Sequence, residues 1–381
     1  MPRDFEIVPV ENDRDRNAFI DFQYELYRNN PVWVPYLRSE RIEFTDRNRH
    51  PFFKHGDVAF YRAVRNKRTI GTIAAIRNDN HNQFHQEKTG FFGLFDVIEE
   101  YPVAEALFDA ARDWTKAQGM ETLRGPMSYS TNEECGMLLN AYDMPPVVMM
   151  TYNPPYYPTF VERYGFKKSK DLYAYRMDTA TFLDGGKGIP EKVLRVADIV
   201  EKRHKVRVRK VNMKRFYDEL ALAKQVYNDA WSRNWGFVPM TDAEFDHLAE
   251  ELKAILDPDL LFVAEAENGR PVGVSVSLPD VNQAFRHVRN GRLFPFGWAP
   301  FLWYRRQINC LRVIIMGVVK DYQLRGIDSV FYLRTIQEGA RKGYTWGEMS
   351  WILEDNIPMR QAIEALYGTI YKTYRVYDLS V

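Results

Sequence analysis

The residues best suited to chemistry in this chain lie near its C-terminus, in the run Gln323-Leu324-Arg325-Gly326-Ile327-Asp328. Before it stands an apolar stretch, Val313 to Val319; after it, Ile327, Val330, Leu333, Ile336 and Ala340 fall on one helical face that Gly343 closes. A strand that turns through a glycine into a helix start leaves several backbone N–H groups unpaired beside the positive end of the helix dipole. That geometry binds phosphate, and Gly326 lets the backbone approach an anion with no Cβ in the way. Taken alone, Q-x-x-G is an ordinary strand-to-helix turn. The strand ending at Val318 and Val319 and the helix beyond give it weight. Asp328 adds negative charge beside a bound phosphate, unless the side chain caps the helix and faces away.

The elements that position this turn follow from the rest of the chain. A length of 381 residues suggests two domains, and 45% apolar with 27% charged residues is ordinary for a globular protein, whereas 14% aromatic is high. Lys plus Arg at 52 against Asp plus Glu at 51 gives a net charge of +1, which argues against a nucleic-acid partner. The only cysteines, Cys135 and Cys310, lack metal-ligand spacing and suggest a reducing compartment without structural zinc. His81 and His85 would share a face only in a helix, and the pattern there reads as non-helical, so no metal is expected. The N-terminus runs straight into a strand, and no stretch of about eighteen apolar residues exists to span a bilayer, so the expected location is cytoplasmic.

A glycine-rich segment, 179–190, marks a boundary, and the halves on either side follow one plan. Each opens with a strand (Phe5 to Val10; Val206 to Val211), then a helix, then a hairpin (Asp57 to Ile76; Leu261 to Leu278) followed by Asn82-Gln83-Phe84 or Asn282-Gln283-Ala284-Phe285. Strand, long helix, strand, short helix and a terminal strand complete each half. The expected layout is residues 1–178 as one domain, 179–205 as linker and connecting helix, and 206–381 as a second domain with an aromatic insertion at 281–306.

This order resembles the GNAT acyltransferase fold, a mixed α/β sheet splayed between its fourth and fifth strands, here in two tandem copies. Trp351-Ile352-Leu353-Glu354-Asp355-Asn356 and Gly291-Arg292-Leu293-Phe294-Pro295 are similar to a bacterial tandem group of acyl-CoA-dependent ceramide synthases. The resemblance implies that Val318, Val319, Gln323, Leu324, Arg325, Gly326, Ile327 and Asp328 hold the pyrophosphate end of acyl-CoA, or the phosphopantetheine of an acyl carrier protein, as co-substrate. No permanently bound cofactor is implied. It further implies that Asn356 faces the pantetheine arm and that a backbone N–H near Val319 serves the oxyanion. The first half has Val97-Ile98-Glu99-Glu100-Tyr101-Pro102 where the glycine turn should be, and an acidic turn repels anions. That domain is expected to be a degenerate copy that shapes the acceptor site.

Amide formation from a thioester needs a neutral amine, a hydrogen bond to the oxyanion and a proton for the leaving thiolate. On the fifth strand Glu348, Ser350 and Ile352 share one face, so Glu348 is the candidate base; the competing reading is a solvated edge charge. The family's usual tyrosine position is Ile363, leaving Tyr371 or Tyr374 as substitutes or as ordinary packing. Thr131-Asn132-Glu133-Glu134 supplies a second polar cluster, of which Asn132 and Glu134 are expected to line the acceptor cleft with Asn282.

Phe294, Phe296, Trp298 and Trp303 of the insertion need a dry environment, since burying one such ring is worth roughly 1.5 to 3 kcal/mol. Either they plug the space between domains or they form a greasy channel or membrane-contacting lip, residues 293–306, at the inner membrane face. The expected function is therefore N-acylation of a long-chain, sphingoid-type amine. Two alternatives stand beside it: an aminoacyl or small-amine acyltransferase, and a non-catalytic sensor of acyl thioesters.

Overall fold

The first helix starts where Asn12 accepts the Asp15 N–H at 3.0 Å, and the helix after Thr241 starts with a full capping box to Glu244. From such signals the computed structural model, which describes residues 3–183 and 185–381, gives the following elements. They run β1 (Glu6–Pro9), α1 (Asp13–Leu26), α2 (Arg38–Phe44), β2 (Gly56–Arg65), β3 (Arg68–Asn78), α3 (Asp79–His85), β4 (Thr89–Val97), α4 (Tyr101–Ala117), β5 (Thr122–Gly125), β6 (Met137–Leu138), α5 (Tyr157–Tyr164) and β7 (Lys167–Asp178). There follow α6 (Glu191–Arg203), β8 (Arg207–Lys210), α7 (Phe216–Ala230), α8 (Asp242–Lys253), β9 (Leu261–Glu265), β10 (Pro271–Pro279), α9 (Asn282–Phe285), α10 (Trp298–Arg305), β11 (Cys310–Val318), α11 (Ile327–Arg341), β12 (Trp346–Leu353), α12 (Ile357–Ala365) and β13 (Thr369–Ser380).

The chain packs as two units. The first comprises the N-terminal part through Leu172 with Asn282–Arg306 and Lys372–Val381; the second comprises Tyr173–Val281 and Gln307–Tyr371. In the first, β1 to β4 pair antiparallel in sequence order, β4 pairs parallel with β5, and β13 closes antiparallel on β5 with Tyr377 opposite Gly125. Its core is built from the α4 face Val103, Leu107, Phe108 and Ala111 against Ile73, Phe92, Phe166 and Tyr377. In the second, β8 to β11 pair antiparallel and β11 pairs parallel with β12. Its core joins Phe262, Val263 and Val274 to Val330 and Phe331 of α11 and to Ala197 and Val200 of α6. The mixed sheet with a single parallel pair thus occurs twice, as the tandem plan requires.

The division differs from the expected layout in four places, the first being that residues 173–178, expected with the first half, pack in the second unit. The insertion, expected with the second half, packs in the first unit because Arg38 is held to it: its N–H donates to the Gly291 carbonyl and its Nε to the Asn290 carbonyl, both at 2.9 Å. The end of β13 also belongs there, drawn in by the core position of Tyr377. The expected linker contains α6, whose apolar face is part of the second core; of the 179–205 stretch, Asp184 lies outside the described residues. A further difference is local: Asp79–His85 is helical, started by Asn78 accepting the His81 N–H at 2.9 Å. The His81 and His85 rings therefore lie 4.4 Å apart.

Candidate functional site

Parallel pairing of β11 with β12 runs from Cys310 opposite Trp346 to Val313 opposite Met349 and stops there. β11 continues to Val318, and every residue from Val313 to Val318 is half-buried. The strands part, leaving alternate backbone groups of β11 without a sheet partner on that side. Beyond β11 the chain passes a short turn and reaches α11 through Leu324 at φ +61° and Gly326 at φ +84°. Among the described residues no acceptor engages the N–H groups of Leu324, Arg325, Gly326 and Ile327. Successive N–H groups in a turn of this kind form an anion-binding concavity at the helix N-terminus. Lys320 and Arg325 are exposed beside it.

The other predicted donor residues are placed less simply. Gln323 donates its side-chain amide to the Val318 carbonyl at 3.1 Å, tying the turn to the strand end. Gly326 has a packing role too, since a Cβ there would meet Val196 at 2.3 Å. Asp328 stands in the first turn of α11, whose N-cap is Gly326, and burial raises its carboxyl pKa. The Val319 N–H itself donates to the Val272 carbonyl at 2.9 Å, so the N–H expected near it for an oxyanion must be a neighbouring one. Asn356 caps α12 by accepting the Met359 N–H at 3.3 Å.

At the vertex where β11 and β12 separate stands a buried polar cluster. Arg312 and Glu348 are opposite one another in the ladder, and both are buried, Glu348 completely. Glu348 accepts from the hydroxyls of Ser350 and Tyr371. The Arg312 Nε donates to Ser350 Oγ at 3.0 Å and stands 3.9 Å from the Glu348 carboxylate. The solvated-edge reading of Glu348 is thereby excluded. Tyr371 is half-buried, and its ring meets Trp346 edge-on at 6.3 Å, so it is the member of the cluster that reaches outward. The sequence singled out Glu348 and Tyr371 and set Ser350 on the Glu348 face, but did not single out Arg312. An arginine in an otherwise apolar strand was the available signal for it.

The first unit has the same divergence, closed. β4 and β5 pair only from Thr89 opposite Thr122 to Phe91 opposite Arg124. Beyond that, the Met127 N–H donates to the Phe92 carbonyl at 2.7 Å and a Cβ on Gly93 would meet Ser128 at 2.7 Å, so residues 127 and 128 fill the gap. Tyr157 accepts the Val97 N–H at 2.7 Å and Tyr156 donates to the Val97 carbonyl at 2.7 Å.

A polar cavity of about 60 Å³ remains in that unit, lined by Asp96, Glu134, Tyr36, Ser128 and Asn153 among others. Burial pushes the Asp96 carboxyl up to about 6 despite hydroxyl donors from Tyr27 and Tyr157. Asp96 was missed by sequence reading. Glu134, predicted for the acceptor, is paired with Arg41; the Asn132 N–H donates to Ser130 Oγ at 3.1 Å; Asn282 donates to the Pro146 carbonyl at 3.1 Å.

The aromatic insertion corrects the burial expectation. Phe294 is 79% exposed, Phe296 80% and Trp303 65%, with Trp298 and Leu302 near half, so they plug no interior space. The reason lies in how α9 and α10 pair. Phe301 stacks on Phe285 at 4.6 Å and Tyr304 on His287 at 3.4 Å, and these rings use the inner face of α10, leaving the others outward.

Comparison with known proteins agrees with this architecture. The chain is 35% identical to the bacterial ceramide synthase of Caulobacter vibrioides (strain NA1000 / CB15N) over 388 residues, covering 98% of this chain and 97% of that protein. It belongs to the bacterial ceramide synthase family. Protein YghO of Escherichia coli (strain K12) is a second relative, also 35% identical, over 97% of this chain and 94% of its own length. No family model matches the chain. Among solved structures, a tandem GNAT protein from the clavulanic acid biosynthesis pathway aligns with TM-score 0.58 at 11% identity, covering 99% of this chain and 98% of that one. A GCN5-related N-acetyltransferase from Sphaerobacter thermophilus aligns with TM-score 0.55 at 11% identity, covering 100% and 96%. At such identities the likeness bears on the fold, which is the tandem GNAT fold. Within this ceramide synthase family member, no helix among the described residues is long and apolar enough to cross a membrane.

Proposed function

We propose that this N-acyltransferase moves a fatty acyl group from acyl-CoA to the amine of a long-chain, sphingoid-type lipid, forming a ceramide-like amide. The observation that carries the reading is the set of four unengaged N–H groups, residues 324–327, at the mouth of the open strand divergence. A phosphorylated handle fits there, and the pantetheine amides can pair along β11 between Ile314 and Val318 as an added strand. A β11 N–H in the same stretch, rather than that of Val319, serves the oxyanion. An apolar cavity of about 50 Å³ lined by Val313, Met316, Tyr332 and Met349 lies beside this stretch and suits methylene groups.

In this reading Glu348 never touches the amine, because it is fully buried. Tyr371 stands between them. As the amine nitrogen attacks the thioester carbon, its proton passes to Tyr371 Oη while the tyrosine's own proton moves to Glu348; the same pair returns a proton to the departing thiolate. Arg312 and Ser350 hold Glu348 in place and steady its charge. The name of the Caulobacter relative supports a ceramide-type product.

The test is incubation of the full chain with palmitoyl-CoA and a panel of sphingoid bases, polyamines and amino acids, read as free thiol. Release with long-chain amines alone is expected. Release only with small amines would replace the lipid reading with small-amine acyl transfer, and tight donor binding without release from any amine would identify a sensor.

A further inference from the structure

The segment from Val281 to Lys320 contains no aspartate or glutamate, yet within it Arg286, Arg289, Arg292, Arg305 and Arg306 are all exposed. No ion pair engages these five arginines among the described residues. Between them stand the outward-facing Phe294, Phe296, Trp298, Leu302 and Trp303. A contiguous apolar patch rimmed by uncompensated cations is uncommon on a surface that meets only water. The lip is also ordered in advance: Trp298 donates its indole N–H to the Pro295 carbonyl at 3.0 Å, and α10 is braced on α9 by the two ring stacks. Its rings need no rearrangement to enter another phase.

From this juxtaposition we propose that the 286–306 lip docks the protein onto the surface of a bilayer containing anionic phospholipid. Phe294, Phe296 and Trp303 enter the boundary between headgroups and acyl chains, Trp298 lies at headgroup level, and the arginines bind lipid phosphates. Arg286 and Arg289 also face a cleft of about 450 Å³ that they share with Arg28, Arg38, Asp21 and Glu25. Arg38 is paired with Asp21 there, so the remaining arginines outnumber the remaining acid and a phosphorylated headgroup is the chemistry that fits. A second copy of the chain is disfavoured as occupant, since two such lips would bring like charges together. The proposal rests on the acyl-transfer reading only in that it gives a lipid amine a route to the enzyme; the binding itself requires no donor.

The test is co-sedimentation of the full chain with vesicles of phosphatidylcholine alone and of phosphatidylcholine with phosphatidylglycerol, at about 0.1 M salt. Binding at least tenfold stronger to the anionic vesicles is expected, with a blue shift in tryptophan emission. Phe294→Ser combined with Phe296→Ser and Trp303→Ser should lower partitioning at least tenfold, and Arg286→Gln with Arg289→Gln should remove most of the preference for anionic lipid. All these side chains are exposed, so an unchanged melting temperature will certify the fold of each variant. Absence of wild-type binding, or equal binding by the aromatic variant, overturns the proposal. Release of thiol with a detergent-dispersed lipid amine but no vesicle binding sinks docking and leaves the acyl-transfer reading intact; vesicle binding without thiol release from any lipid amine does the reverse.

Discussion

Two strand divergences built on one plan have opposite fates in this molecule. β4 and β11 each pair in parallel with a neighbour for a few residues and then run on alone. β4 is buried at eight of its nine positions, whereas the last six residues of β11 are all half-buried. The first gap is occupied by Met127, Ser128 and two tyrosine hydroxyls bound to Val97; the second keeps its backbone open and follows it with a turn whose N–H groups find no acceptor. The contrast teaches that a duplicated fold supplies a potential ligand groove in each copy, and that filling one of them turns it into core.

The largest expected effect tests whether proton transfer belongs to the open copy. Tyr371→Phe should lower turnover roughly a hundredfold, within the usual range for a positioned acid or base, while donor affinity changes little. Glu348→Gln should do the same. Turnover within a few-fold of wild type for both variants, measured by thiol release, would remove the dyad from the mechanism.

The closed copy should reveal its filled character in how stability depends on pH. Asp96 titrates near 6 in the folded state against 3.8 unfolded, so between those values the native state binds the extra proton and folding gains stability as pH falls. The contribution is on the order of 3 kcal/mol, absent above about pH 6 and complete below about pH 4. His81 opposes it: burial and His85 push its pKa down to about 4 from 6.5, so its neutral form loses stability over a similar window as pH falls. Asp96→Asn should remove the gain and leave the His81 loss, so that urea unfolding shows a steeper fall in stability from pH 6.5 to 4 than wild type. Identical profiles for variant and wild type would show that Asp96 is not buried as described.

How far these features were legible beforehand depended on whether they were local. The two strand-helix successions and the Gln323–Asp328 turn follow from periodicity and a glycine, which act within a dozen residues. The swapped attachment of β13 and of the insertion was not legible, because it depends on Tyr377 finding a core and on Arg38 finding the Asn290 and Gly291 carbonyls far away in sequence. The exposed rings of the insertion defeated a transfer-energy argument that is sound on average, because two stacks consumed the inner face of a two-turn helix. Glu348 was legible as a candidate, yet its complete burial was not, since that depends on Arg312 of β11 and Tyr371 of β13 converging on it from two other strands beside its strand neighbour Ser350.

A smaller effect should follow from giving the open turn the charge of the closed one. Arg325→Glu places an acid among the unengaged N–H groups, much as Glu100 precedes α4 in the first unit. Since Arg325 is exposed, the melting temperature should hold, while coenzyme A affinity by calorimetry falls about tenfold, or ~1.4 kcal/mol. Unchanged affinity would show that the turn is not where the diphosphate sits.

The converse change separates charge from filling as the feature that sets the first copy apart from the second. Glu100 is held by Arg65 at 2.7 and 3.0 Å with its side chain 44% exposed, so Glu100→Gln should cost at most ~1 kcal/mol of stability. Were repulsion by Glu100 the barrier, this variant would take up a second equivalent of coenzyme A. The structure argues for filling instead: the Val97 N–H and carbonyl are already bound to Tyr157 and Tyr156, and the gap beyond Phe91 is already occupied. The expected titration therefore keeps a single equivalent, with affinity unchanged, and a second binding isotherm would overturn the assignment of the closed copy to core.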